Sequence, residues 1–186
     1  MTSAPPFETA EVAVPGGTVV VVADPLTGEV VASGFGGLEH TWAFLDAADQ
    51  ARGHEPAPRG GGGTAAAVAA LRRYAAGDLD ALDEVAVRQP GGPFLQRAWT
   101  ELRGVHAGET DSYAGLAARA GSPAAVRAAG QACARNKVAP FVPCHRILRT
   151  DGTLGGYAYG LPVKRALLVH EGADLGATAE AAPALF

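Results

Sequence analysis

Cysteine is scarce in this chain: two in 186 residues, too few for the disulfide framework of a small secreted protein. No apolar run approaches the roughly 20 residues that a membrane-spanning helix needs. The start, Met1-Thr2-Ser3-Ala4-Pro5-Pro6, has no basic stretch followed by an apolar one, so no secretion signal is expected. These absences point to a reducing cytoplasm and away from membranes. No cysteine precedes Cys133, and the cysteines and histidines lack paired-ligand spacing, so no metal site is expected. There is no internal repeat. With 48% hydrophobic and 18% charged residues the composition is globular, and the length suits one or two small domains.

An excess of positive charge is also missing. The net charge is −4, which argues superficially against a nucleic-acid partner, but its distribution is uneven. Residues 1–92 carry 5 basic and 12 acidic side chains, whereas residues 119–165 carry 8 basic and 1 acidic. A basic segment on an otherwise acidic chain suits a DNA-facing surface of modest, salt-sensitive affinity.

The first half reads as a small α/β domain. Thr18-Val19-Val20-Val21-Val22-Ala23 is a β-branched run typical of a buried strand. A turn at Asp24–Gly28 leads to a returning strand at Glu29–Ser33, and Glu11–Val14 adds another. His40 to Ala51 has helical composition. Glu55-Pro56-Ala57-Pro58 and the glycines at 60–63 read as a loop, Thr64 as the cap of an alanine-rich helix ending near Gly77, and Glu84–Val87 as a short edge strand. The break at Gln89-Pro90-Gly91-Gly92-Pro93 divides the chain into domains 1–92 and 93–186.

The second half reads as mostly helical. Phe94, Leu95, Ala98, Trp99 and Leu102 share a core-facing spacing. A helix-turn-helix candidate follows: Asp111 or Ser112 caps a helix through Arg119, Ala120-Gly121 turns it, and Ser122-Pro123 starts a second helix from Ala124 to about Ala134. That second helix carries small residues, Ala128 and Ala129 among them, with Arg127 and Arg135 projecting. A thin helix of this kind can enter a narrow groove of DNA.

The densest chemistry lies at Pro143-Cys144-His145-Arg146. A cysteine beside a histidine offers a soft nucleophile with a base in reach. Sequence neighbours seldom face each other, so a water bridge between Cys144 and His145 is expected, with Glu171 orienting the imidazole. Pro143 starting a helical turn would favour thiolate at Cys144. Cys133, mid-helix, reads as a small buried hydrophobe.

The full string, Asn136, Pro143-Cys144-His145-Arg146, Gly155-Gly156-Tyr157, Lys164 and Glu171, resembles the active-site signature of the O6-alkylguanine-DNA alkyltransferases. Weaker similarity extends to Tyr74–Gly77, Phe94–Trp99 and Ser112-Tyr113. The resemblance implies a ribonuclease-H-like α/β N-terminal domain and a helical C-terminal domain with a helix-turn-helix. The implied activity is irreversible, single-turnover transfer of an alkyl group to Cys144 from O6-alkylguanine, or from O4-alkylthymine, in double-stranded DNA. Binding would be by the minor groove with base flipping. Implied roles are His145 as base through water, Glu171 as its orienter, Asn136 as hinge and Tyr113 at the phosphate and the base N3. Arg127 would fill the gap left by the flipped nucleotide, with Ser122, Ala128, Ala129 and Arg135 also toward DNA. Ile147, Tyr157, Ala158, Tyr159 and Lys164 would build the pocket. No cofactor and no obligate protein partner are implied, and a monomer is expected.

Three residues depart from the family pattern. Lys137 and Ala139 stand where proline is frequent, and Tyr159 where glycine is common. A pocket that lacks a proline wall and is narrowed by Tyr159 should accept methyl better than benzyl groups. The competing functions are a non-catalytic lesion-binding module, which the presence of Cys144 disfavours, and a cysteine hydrolase or redox thiol, for which no signature appears.

Overall fold

Val19, Val20, Val21 and Val22 are all at most 1% exposed, so their strand is covered on both faces. The computed structural model, which describes residues 4–176, places that strand second in a four-stranded sheet. Its strands are β1 (Phe7–Val14), β2 (Gly17–Ala23), β3 (Val30–Gly34) and β4 (His54–Pro56), in the order β3-β2-β1-β4. β1–β2 and β2–β3 are antiparallel and β1–β4 is parallel. Gly16, at φ 94°, makes the left-handed turn between β1 and β2.

The single helix expected over 40–51 is two helices, α1 (Gly37–Trp42) and α2 (Ala47–Arg52). Leu45 drops between them into a core with Phe7, Val22, Val31 and Ala32, and the Asp46 carboxylate then caps a new start by accepting from Asp49 N at 2.9 Å. Part of the expected loop at 55–58 is β4. Helix α3 (Ala65–Ala75) buries Ala67, Ala70, Leu71 and Tyr74 at helical spacing and packs on β1. Thr64 does not cap α3 with its side chain; its hydroxyl donates to Gly61 O at 2.7 Å. The expected strand at 84–87 is also corrected. Ala81–Glu84 is a 3-10 turn, and Val87 makes only an isolated bridge to Val30.

The chain divides into two compact units, Met1–Gln89 with Lys137–Phe141, and Pro90–Asn136 with Val142–Phe186. The division therefore differs from a single break at 92/93. Within the first unit Ser33 N donates to Lys137 O at 2.7 Å and Ser33 Oγ donates to Ala139 O at 2.8 Å. A Pro/Gly break in sequence cannot reveal a five-residue segment that pairs with a strand about a hundred positions earlier (|i−j| is 106 for Ser33 and Ala139).

The second unit begins with α4 (Pro93–Arg103), where Pro93 occupies the first turn. A two-residue strand β5 (Asp111–Ser112) precedes α5 (Tyr113–Arg119), and Ser112 Oγ accepts from Gly115 N at 3.0 Å as the cap. Gly121, at φ 78°, reverses the chain. Helix α6 spans Val126–Ala134, so Ser122-Pro123 is not its start: Ala125 N bonds Ser122 O in a separate turn. Trp99 Nε1 donates to Ala132 O at 2.9 Å, and Arg97 Nε to Ala120 O at 3.0 Å, tying α4 to α6 and to the α5–α6 turn. Strand β6 (Ile147–Leu148) pairs parallel with β5, and α7 (Leu161–His170) follows. Among the described residues no helix is long and apolar enough to cross a membrane.

Candidate active site

Cys144 opens a 3-10 turn, Cys144–Arg146, directly after Pro143. Asn136, just past the end of α6, reaches it: Nδ2 donates to Val142 O at 2.7 Å and to Cys144 Sγ at 3.2 Å. The turn sends His145 and Arg146 inward, where they are 0% and 2% exposed, to meet Glu171 at the end of α7. His145 Nε2 lies 2.9 Å from Glu171 Oε1. Arg146 Nε donates to Glu171 Oε2 and Nη2 to Oε1, both at 2.9 Å, while Nη1 donates to Val105 O at 2.6 Å. His145 Nδ1 is buried without a hydrogen-bond partner among the described residues.

Electrostatics follow from this geometry. Burial favours a neutral Cys144 and pushes its thiol up; the Asn136 donor and the Lys164 charge offset only part of that. Burial thus outweighs the shift toward thiolate expected from the turn at Pro143, and the resting group is a thiol that needs a base. Burial pushes the His145 imidazole down and keeps it neutral, despite Glu171. Burial alone would raise the Glu171 carboxyl, but His145 and Arg146 beside it hold it well below the ordinary carboxylate range. A neutral imidazole beside an ionised carboxylate is a poised base.

A cavity of about 300 Å³ opens onto the thiol, lined by Tyr113, Gly130, Cys133, Ala134, Asn136, Cys144 and residues 156–159. Tyr157 and Tyr159 meet edge to face at 5.5 Å, and Tyr157 meets the His145 ring at 6.5 Å. Of the pocket residues expected from sequence, Tyr157, Ala158 and Tyr159 line this cavity. Ile147 and Lys164 do not: Ile147 is fully buried, and Lys164 Nζ donates to Ile147 O at 2.6 Å and to Leu154 O. Burial pushes that ammonium down to about 8. Lys137 and Ala139 are also absent from the lining, so the missing proline wall does not shape the cavity.

On the helix pair, Arg127 and Arg135 are exposed, and Ser122 and Ala128 half-buried. Ala129 is 0% exposed and packs inward, so its place on a DNA-facing surface is corrected. The basic balance of 119–165 is also smaller at the surface than in sequence: Arg146 and Lys164 are internal, and Arg119 pairs with Asp111 at 3.0 Å. A larger cavity, about 560 Å³, lies in the first unit between β1, β4 and α3, with Glu11 and Arg72 its ionisable lining residues and no nucleophilic cysteine. Among the described residues no three His, Cys, Asp or Glu side chains cluster as metal ligands.

Comparison with known proteins places this geometry. Residues 93–173 match the model of the 6-O-methylguanine DNA methyltransferase DNA-binding domain. The O6-methylguanine methyltransferase of Mycobacterium tuberculosis superposes with a TM-score of 0.70 at 30% identity, covering 96% of each chain. The chain belongs to the O6-alkylguanine-DNA alkyltransferase family. A structure of the M. tuberculosis protein in complex with DNA matches at TM-score 0.70 and 30% identity, over 89% of this chain and 92% of that one. The methylated-DNA--protein-cysteine methyltransferase of Salmonella typhimurium is 42% identical over 102 residues, 55% of this chain and 60% of that protein. The Ada protein of Escherichia coli, a bifunctional transcriptional activator and DNA repair enzyme, is 51% identical over 81 residues, 44% of this chain and 23% of Ada. The alignments thus span 60% or less of these two curated relatives.

In this alkyltransferase-family chain, sequence reasoning missed the part played by Arg146 and the presence of Gly130, Cys133 and Ala134 in the cavity wall. The wall had a signal. Gly130, Cys133 and Ala134 stand at helical spacing and share a face of α6, and that face leads to Asn136. Arg146 had none, because its partner lies 25 positions away.

Proposed function

We propose that this chain repairs DNA by direct reversal, moving a methyl or larger alkyl group from O6-alkylguanine in duplex DNA onto Cys144. The observation that carries this is the buried Cys144 thiol at the cavity, held by Asn136 and backed by the His145–Glu171 pair. The Cys144 proton passes through a water to His145, which becomes imidazolium against Glu171. The sulfur attacks the alkyl carbon as its bond to O6 breaks, and the departing guanine takes a proton at N3 from the hydroxyl of Tyr113, which lines the cavity. Among the described residues no group at the site is set to remove a thioether, so each molecule reacts once.

The helices α5 and α6 act as a helix-turn-helix on the minor groove, with Arg127 filling the gap of the flipped nucleotide and Ser122, Ala128 and Arg135 near the backbone. Flipping costs a few kcal/mol, least where alkylation has weakened pairing. The sheet of the first unit, an antiparallel meander with a fourth strand parallel to the first, supports a ribonuclease-H-like assignment. The protein acts as a monomer in the cytoplasm. Asn136 serves as the hinge between α6 and the reactive turn. The deciding experiment is intact mass after mixing with a duplex carrying one O6-methylguanine, beside Cys144→Ser. The expected result is one added methylene equivalent per molecule, absent in the variant. Unchanged mass with lesion-selective binding would instead favour a non-catalytic sensor.

A further inference from the structure

The base in this site works only if one particular ring nitrogen is free of hydrogen. Glu171 Oε1 is 2.9 Å from His145 Nε2, and Nδ1 is the buried nitrogen with no partner among the described residues. An ionised carboxylate can only accept, so it obliges Nε2 to carry the hydrogen and leaves a lone pair on Nδ1. A protonated carboxyl can donate to Nε2, which moves the ring hydrogen to Nδ1 and removes the acceptor. The tautomer of His145 is therefore decided by the charge on Glu171.

Glu171 is 3% exposed, a setting that by itself disfavours charge. Beside the contact with His145, the permanent cation that makes the charge tenable is Arg146, whose Nε and Nη2 grip both carboxylate oxygens at 2.9 Å. Its remaining nitrogen Nη1 is fixed to Val105 O at 2.6 Å, so the fork cannot swing away. Lys164 is the other cation that acts on His145, and its ammonium is spent on the carbonyls of Ile147 and Leu154. The Tyr157 ring meets the imidazole edge to face.

We propose that Arg146 is a positioning residue that selects the Nε2–H tautomer of His145 by holding Glu171 ionised, and so creates the base at Nδ1. It acts through Glu171 and touches neither the alkyl group nor the thiol. The catalytic consequence rests on the alkyltransferase function proposed above; the tautomer itself does not.

The test is nitrogen-15 NMR of histidine-labelled protein, read together with single-turnover methyl transfer. In the wild type, Nδ1 of His145 should give the resonance of a bare, pyridine-like nitrogen and Nε2 that of a protonated one. Arg146→Met should exchange the two signatures and slow transfer about 100-fold or more, the scale of a lost general base. Arg146→Lys, which keeps the charge, should retain the wild-type tautomer and recover most of the rate. Because Arg146 is buried, Arg146→Gln serves as a second neutral variant if Arg146→Met fails to fold, and the wild-type spectrum needs no variant at all. Hydrogen on Nδ1 in the wild type, a folded neutral variant with an unchanged tautomer, or an exchanged tautomer in Arg146→Lys would each overturn the proposal. A wild type that transfers no methyl, with the expected tautomer there and the exchanged one in the neutral variant, would instead sink the alkyltransferase function and leave the role of Arg146 standing.

Discussion

The two units of this chain bury polarity in opposite ways. In the first, the carboxylates of Glu8 and Asp24 keep 7–8% exposure and are tied to nearby loops, Glu8 to the backbone N–H of Gly63 and Asp24 to Arg52 and Leu26 N. Its interior is otherwise uncharged: valine, alanine, leucine and single aromatics, with the small hydroxyls of Ser33, Thr41 and Thr64 at 0% exposure among them. In the second, His145, Arg146, Lys164 and Glu171 lie at 0–3% exposure and are wired to one another or to backbone carbonyls. The sheet core holds charge at its margin and only neutral hydroxyls inside, whereas the second unit sets charged groups at its centre, next to the thiol. The difference teaches where stability and chemistry are separable and where they are the same contacts.

The largest test of that contrast is Glu171→Ala. It strands a buried guanidinium and should destabilise the second unit by about 3–5 kcal/mol, while abolishing measurable methyl transfer. Urea unfolding followed by Trp99, which lies in the second unit, would show it. Leu71→Ala should cost a comparable amount, about 2–5 kcal/mol, in the first unit. Yet the protein that remains folded should transfer methyl groups at an unchanged rate. Equal rate losses in both variants would dissolve the distinction.

Acid should separate the units next. Burial lowers the His145 pKa on folding from its ordinary value of about 6.5, so the unfolded chain binds the proton more readily. Its contribution is intact above about 6.5 and declines as pH falls below it. The Glu171 pKa is lowered from 4.5, so its contribution is intact above that value and is lost as pH falls through the depressed one. Both act in the second unit. The Trp99 signal should therefore lose stability with falling pH from about 6.5, steepening below about 4.5. The Trp42 signal, in the first unit, should follow only carboxyls, the exposed Glu84 beside Arg73 and Asp24 beside Arg52, whose windows start near 4.5 and 3.8. Coincident acid transitions would refute this.

The smallest expected effect concerns size selection. Tyr159 lines the cavity beside Tyr157. Tyr159→Gly should raise the rate with an O6-benzylguanine donor while leaving methyl transfer nearly unchanged. No gain on the benzyl donor would remove Tyr159 as the limit.

Legibility differed sharply between the units. The valine run announced its strand, because four consecutive apolar β-branched residues leave few alternatives. The meander around it followed from the turn residues. The split of 37–52 into two helices was hidden, since Leu45 needs the core before it interrupts anything. The edge strand β4 was read as loop because prolines at 56 and 58 argue against pairing, which an edge position permits. In the second unit α4 is plain in sequence and the cap of α5 is narrowed to Asp111 or Ser112, whereas the start of α6 is not, because Ser122-Pro123 mimics a helix entry.

At the site the reactive types stood in the open: Cys144, His145, Asn136 and Glu171 are chemistry that short-range pattern displays. What the sequence by itself determined is the repertoire: a strand-forming first unit, a helical second one, and a thiol, a base and an acid in one string. Tertiary structure alone decided which of these are buried and therefore what state they hold. It turned Ala129 inward, removed Ile147 and Lys164 from the cavity wall, kept Cys144 a thiol, and brought Arg146 onto Glu171. Protonation and orientation depend on solvent exclusion and on partners 25 or 26 residues away, and neither quantity exists until the chain has closed on itself.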